Sequence, residues 1–130
     1  MNSFSIINTV TQDDLDDLNH VNNVVYVHWI QEISKKHWQA VAKSLTQTYI
    51  WVVRRHDITY YDAAKLGEEV AITTNIKTTK GPISFRQVEM KNNKTGKILV
   101  KSITEWCLLN SNTLKPIRVP ETVKNLFLES

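Results

Sequence analysis

Acidic side chains crowd one short stretch of the chain, Asp13, Asp14, Asp16 and Asp17, and a His20-Val21-Asn22-Asn23 run follows directly. A carboxylate can attack a carbonyl carbon as nucleophile or take a proton from water as general base. Asn is suited to capping a helix. From Val21 apolar residues recur at helical spacing through Val24 and Val25, Trp29, Ile33, Trp38 and Val41. A carboxylate-rich loop thus leads into a helix N-terminus, where backbone N–H groups lack partners and the helix dipole is positive. A carbonyl oxygen gaining negative charge there would meet ready-made donors. An acidic turn with an Asn cap is also an ordinary helix entry, and the spacing alone leaves both readings open.

The surrounding elements must hold this loop. Phe4 to Val10 reads as a first strand, and Thr11 to Asn19 as the acidic loop. The helix is predicted from about Val21 to Ala42, with Val24, Val25, Val27, Trp29, Ile30 and Ile33 falling all around its first half, the mark of a largely buried helix. Four strands follow: Tyr49 to Tyr61, then Val70 to Thr78, Ile83 to Lys91 and Ile98 to Leu109. Their breaks fall at Asp62 to Gly67, Lys80-Gly81-Pro82 and Asn92 to Gly96. Pro120 starts a short terminal helix whose apolar side is Val123, Leu126 and Phe127. One strand, a long helix and a four-strand antiparallel meander predict an α+β fold with the helix across the sheet. Strand Tyr49–Tyr61 is apolar on both parities, a hazard at an open edge, which predicts a homodimer or dimer of dimers paired along it.

At 130 residues the chain suits one domain, 1–130, with a single core. A net charge of +3 without a dense basic run permits an acidic partner but is no nucleic-acid signature. Cys107 stands alone, so no intrachain disulfide forms and a cytoplasmic setting is expected. The first residues lack a charged region followed by an apolar core, and no apolar run approaches the roughly 20 residues that span a bilayer.

The string D-x-D-x-x-x-H-V-N-N-x-x-Y-x-x-W, carried by Asp14, Asp16, His20, Val21, Asn22, Asn23, Tyr26 and Trp29, resembles the signature of hot-dog-fold thioesterases of the hydroxybenzoyl-CoA thioesterase type. Its H-V-N-N portion is most similar to acyl-ACP thioesterases. Arg54, Ile58, Tyr60, the Asp62–Leu66 turn, Gly67, Trp106 and Arg118-Val119-Pro120 extend the resemblance over nearly the whole chain. It implies a five-stranded sheet wrapped around the helix, chains paired edge to edge, and active sites between subunits. It further implies hydrolysis of an acyl-CoA or acyl-ACP thioester, with Asp16 carrying the catalytic carboxylate and donors from the segment His20 to Asn23. His20 would position the water or acyl group; Val21, Asn22 and Tyr26 would contact substrate. Acyl-ACP thioesterases have Asn two residues after this Asp, where this chain has Leu18, with Asn19 one further on. Their later Glu-Cys pair has no match, which favours a single-carboxylate scheme. A non-catalytic acyl-thioester-binding module of the same fold is the alternative, and a nucleic-acid-associated protein a third.

The remaining polar residues read more plainly. His28 and Glu32 share a helix face, but two ligands are too few for a metal. His37 and His56 read as structural or surface histidines, and Cys107, without a His partner, as packing. Neither metal nor cofactor is expected beyond the thioester substrate itself. Lys77, Lys80, Arg86, Lys91 and Lys94 gather near two turns, either as a solvated edge or as contacts for coenzyme A phosphates or an acidic carrier protein.

Overall fold

The computed structural model describes residues 2–128. Strands β1 (Ser3–Thr9), β2 (Tyr49–Tyr60), β3 (Glu69–Lys80), β4 (Ile83–Asn92) and β5 (Ile98–Asn110) form one antiparallel sheet. Helix α1 (Asn23–Val41) packs across it, and the short α2 (Glu121–Phe127) closes one end. The chain has the expected α+β, hot-dog arrangement of five strands and one long helix.

Two expectations need correction. The sheet order is β1-β3-β4-β5-β2, so only β3, β4 and β5 form a meander. From β2 the chain crosses three strand spacings, about 14 Å, to reach β3. The crossing segment is pinned beneath the start of α1: Val21 N donates to Ala64 O at 3.0 Å, and Ala64 N donates to the Tyr26 hydroxyl at 3.0 Å. These bonds satisfy the backbone groups of Ala64, at the middle of the segment, where no strand pairs with it. Residues 61–68 were therefore not a hairpin turn.

Helix α1 is buried along one face, not all around. Tyr26, Trp29, Ile30, Ile33, Ser34, His37 and Trp38 form a stripe at intervals of three and four, whereas Val24 is 72% exposed. The high valine content of the first turns misled the periodicity, because Val24 and Val27 lie off the stripe.

The alternation in β2 is reset partway. A bulge sets Val53 opposite Trp106 and Arg55 opposite Glu105, leaving Arg54 as the extra residue. Before it Tyr49, Trp51 and Val53 are the half-buried set; after it His56 and Ile58 are. The bulge also turns two consecutive arginines to one acid: Arg54 Nε and Arg55 Nη1 donate to opposite oxygens of Glu105 at 3.1 and 3.2 Å. As the sequence reading required, β2 is an edge of the sheet.

The core divides into two apolar clusters separated by a polar layer. Tyr26, Trp29, Ile30 and Ile33 join Val70, Ile72, Val88, Met90 and Val100 in one. Trp38 and Ala42 join Ile76, Leu108, Val123 and Phe127 in the other. Between them four elements contribute buried polar groups: Ser34 and His37 from α1, Thr74 from β3, Ser84 and Arg86 from β4, Ser102 and Thr104 from β5.

Ile33 is fully buried at the middle of the stripe. Ile33→Ala is expected to lower unfolding free energy by about 2–5 kcal/mol, measured by urea denaturation. Val24→Ala, on the exposed side of the same helix, should stay within about 0.5 kcal/mol of the parent.

Candidate active site

The acidic loop closes on itself. A 3-10 turn at Gln12–Asp14 opens it, with Asp14 Oδ2 accepting from Thr11 N at 2.8 Å and from Thr11 Oγ1 at 3.1 Å. Asp16 builds the next turn. Its N–H donates to His20 O at 2.8 Å, and its carbonyl accepts from Asn19 N at 3.0 Å. Asn19 takes φ 59°, the left-handed conformation that Asn tolerates better than most residues. The Asp16 carboxylate is tethered through Oδ1, which accepts from Leu18 N at 2.9 Å and His20 N at 3.2 Å. Its Oδ2 has no hydrogen-bond partner among the described residues. One oxygen therefore fixes the group, and the other keeps its lone pairs for a proton or a carbon centre.

The loop hands over directly to α1. Asn22 N donates to Asp14 O at 2.8 Å, and the Asn22 side chain caps the helix by accepting from Val24 N at 3.1 Å. Val25 N donates to Asn22 O at 2.9 Å. The Asn23 N–H, first of the helix, has no partner among the described residues. It is an open donor at the positive end of the helix dipole.

The other expected residues divide by burial. His20 is half-buried and its backbone bridges to Lys65, while its ring makes no hydrogen bond among the described residues. Val21 is 2% exposed and packs in the core. Tyr26 is equally buried, with its hydroxyl committed to Ala64 N and its ring 5.8 Å from those of Trp29 and Tyr60. Burial holds the Tyr26 phenol above its ordinary pKa. Val21 and Tyr26 thus position the loop and helix start from the core, while the exposed Asn22 spends its side-chain oxygen on the cap.

The five cations do not form one patch. Lys80 and Lys94 sit at opposite ends of β4, whose ten residues span about 33 Å at 3.3 Å per residue. Lys77 and Lys91 line a shallow groove on the outer sheet face, where Lys91 pairs with Glu89 at 3.1 Å. Arg86 points the other way and is 4% exposed. Its parity with Val88 and Met90 was the sequence signal for this, overridden by the expectation that arginine seeks water.

Arg86 forms a polar constellation that the sequence reading missed. Its Nη1 donates to His37 Nδ1 at 2.8 Å and to Thr74 Oγ1 at 3.2 Å. Arginine can only donate, so His37 Nδ1 is unprotonated and Nε2 carries the proton, which it gives to Asn2 Oδ1 at 2.6 Å. Phe4 stacks on the imidazole at 5.5 Å, and Phe127 meets it edge-on at 4.9 Å. Burial, then the Arg86 charge, pushes the His37 pKa down to about 4. Burial lowers that of Arg86 to about 10, still a cation at neutral pH. His56, half-buried on β2, bonds Thr104 Oγ1 through Nδ1 at 2.8 Å. Among the described residues no three His, Cys, Asp or Glu side chains come together as metal ligands, and no helix is long and apolar enough to cross a membrane.

The chain matches the family model of the acyl-ACP thioesterase N-terminal domain over residues 3–127. A comparison with curated proteins finds no match. Among solved structures, a 1,4-dihydroxy-2-naphthoyl-CoA thioesterase from Synechocystis superposes with TM-score 0.84 at 11% identity, covering 98% of this chain and 97% of that one. The 12:0-ACP thioesterase from Umbellularia californica gives 0.81 at 18% identity, covering 98% of this chain but 51% of that one. A Staphylococcus aureus protein solved in complex with CoA gives 0.85 at 16% identity, with 96% and 81% covered. At such identities the superpositions establish the shared fold.

The His37 shift carries a sign. The unfolded imidazole titrates near 6.5 and the folded one near 4, so on acidification the unfolded chain takes up the proton first. The stabilisation is complete above about pH 6.5 and declines toward pH 4, by at most about 1.4 kcal/mol per pH unit. His37→Gln should flatten this part of the stability–pH curve relative to the parent, measured by urea unfolding at several pH values in that window.

Proposed function

Since the chain belongs to the acyl-ACP thioesterase family, a family of thioester hydrolases, we propose that its acidic loop and α1 start form a single-carboxylate site for hydrolysing an acyl-CoA or acyl-ACP thioester. One observation carries this reading: a carboxylate tethered through Oδ1 and free at Oδ2 lies in the loop that runs into a helix whose first amide is open. The Asn23 N–H donates to the thioester oxygen as negative charge develops on it, in the manner of an oxyanion hole. Asp16 Oδ2 either attacks the carbonyl carbon, giving an anhydride that water opens, or takes a proton from water as it attacks. The His20 ring, which makes no hydrogen bond among the described residues, orients the water or the acyl group. Thiolate leaves and is protonated, so the products are a free acid and a thiol. On this reading the exposed Lys77 and Lys80 contact coenzyme A phosphates or an acidic carrier protein. The lone thiol, Cys107, suits the reducing cytoplasm.

The same reading includes a homodimer paired along β2, alone or doubled. Ile50, Val52 and Tyr60 on this edge strand, and Tyr61 just beyond it, are 38–57% exposed, a cost in water that an opposed copy removes. A two-fold axis makes such pairing antiparallel. Centred near the bulge, it sets Tyr49 to Trp51 of one protomer beside residues 58–60 of its partner, the end of β2 where Tyr60 packs on Tyr26 near the α1 start. A monomer in light scattering at micromolar concentration would refute the pairing.

Asp16→Asn keeps the bonds to Leu18 and His20 but removes the basic oxygen. It is expected to lower turnover by about 100-fold or more in a thiol-release assay across short, long and aromatic acyl-CoAs, with the fold retained. Asp17→Asn, on an exposed side chain with no tether, should leave turnover unchanged. Near-parental turnover in Asp16→Asn would remove this residue from the chemistry; acyl-CoA binding without thiol release by the parent would favour a binding module.

A further inference from the structure

Beside the polar layer lies a cavity of about 260 Å³, smaller than the roughly 300–1,000 Å³ of sites for drug-sized ligands. Trp38, Tyr49, Trp51 and Trp106 give it aromatic walls, and Ser34 and Arg86 also line it. Two features of this lining are unusual. Arg86 is buried, yet its described partners, His37, Thr74 and the Phe127 ring, are all neutral. The acid on neighbouring β5, Glu105, is engaged by Arg54 and Arg55 instead. Trp106 has a buried indole N–H with no partner among the described residues. A buried guanidinium without a counter-charge, and a buried donor without an acceptor, are each costly. Both are relieved by one kind of group, an oxyanion with two acceptor oxygens. Lys35, also on the lining, is exposed and keeps its hydration, so the buried guanidinium has most to gain.

Resting on the thioesterase reading above, we propose that this cavity receives the far end of the acyl group, and that the end it selects is a carboxylate, held by Arg86 and the Trp106 N–H. The aromatic walls take the carbon chain. Within one chain the lining begins eleven residues after Asn23, about 17 Å along the α1 axis. In the β2-paired dimer, Tyr49 to Trp51 on the cavity wall of one protomer adjoin the partner's α1 start, a shorter path. The preferred substrate class is thus a thioester of a dicarboxylic acid or a ring-bearing equivalent, with one carboxyl as thioester and the other free.

The test separates binding from hydrolysis. Three of the four tryptophans line the cavity, so their fluorescence reports occupancy when octanoate, or its uncharged isostere octanamide, is titrated into the whole protein. Octanoate is expected to bind about 10- to 100-fold more tightly than octanamide. Trp106→Phe, which keeps an aromatic wall and removes the N–H, and Arg86→Gln should each shrink that ratio. Equal binding of the two ligands by the parent, or a ratio unchanged in folded Trp106→Phe, overturns the proposal. In parallel, suberoyl-CoA should exceed octanoyl-CoA in kcat/KM, and the preference should fall in Trp106→Phe. Discrimination between octanoate and octanamide without thiol release from either thioester would retain the carboxylate site and refute hydrolysis. Release that favours octanoyl-CoA would do the reverse.

Discussion

Burial of one face of α1 against the sheet is the constraint on which the rest depends. The stripe from Tyr26 to Trp38 touches both apolar clusters, so neither closes without the helix. Fixing the stripe also fixes the rotation of the helix and hence the direction of its first turn. Tyr26 is the lowest residue of that stripe, and its hydroxyl holds Ala64 on the crossing segment between β2 and β3. The packing that stabilises the molecule and the geometry that exposes the Asn23 amide are thus one arrangement.

The acidic loop shows how few side chains are needed to make a carboxylate rigid. Asp14 secures Thr11, Asp16 closes the turn to His20, and Asn22 caps the helix while its backbone reaches Asp14. Each carboxylate bonds through one oxygen only; Asp14 reaches back to Thr11 at the start of the loop, whereas Asp16 reaches forward to the amides of Leu18 and His20 in the turn that leads into α1. Short polar side chains suit this role because they bond nearby backbone and lose little freedom in doing so. The departure at Leu18 fits the same picture, since its backbone N–H serves Asp16 while its side chain stays 74% exposed.

The polar layer across the core is a second organising feature. Each of its groups lies on an element that is apolar above and below it, so its registry is set by the sheet and not by local preference. Within it Arg86 donates to His37 and His37 donates to Asn2, a directional chain in which the histidine is held neutral. Such layers fix one register of helix on sheet, because sliding by a turn would strand each polar group against hydrocarbon.

The sequence by itself determined the strands and helices, the acidic loop, a polar run suited to capping α1 and the edge character of β2, because these follow from local spacing and side-chain chemistry. That Asn22 is the cap, of a helix starting two residues beyond the expected Val21, was settled by the fold. It also singled out Asp16, through a motif whose residues are adjacent in the chain. Tertiary structure alone decided the strand order, since the 61–68 segment reads as a turn whether it joins neighbours or crosses a sheet. It alone decided the inward face of β2, because an extra residue at Arg54 shifts the alternation without any local signature. It also decided the fate of Arg86. Parity said inward and charge said outward, and only partners 12 and 49 residues away in sequence, Thr74 and His37, let the inward reading win.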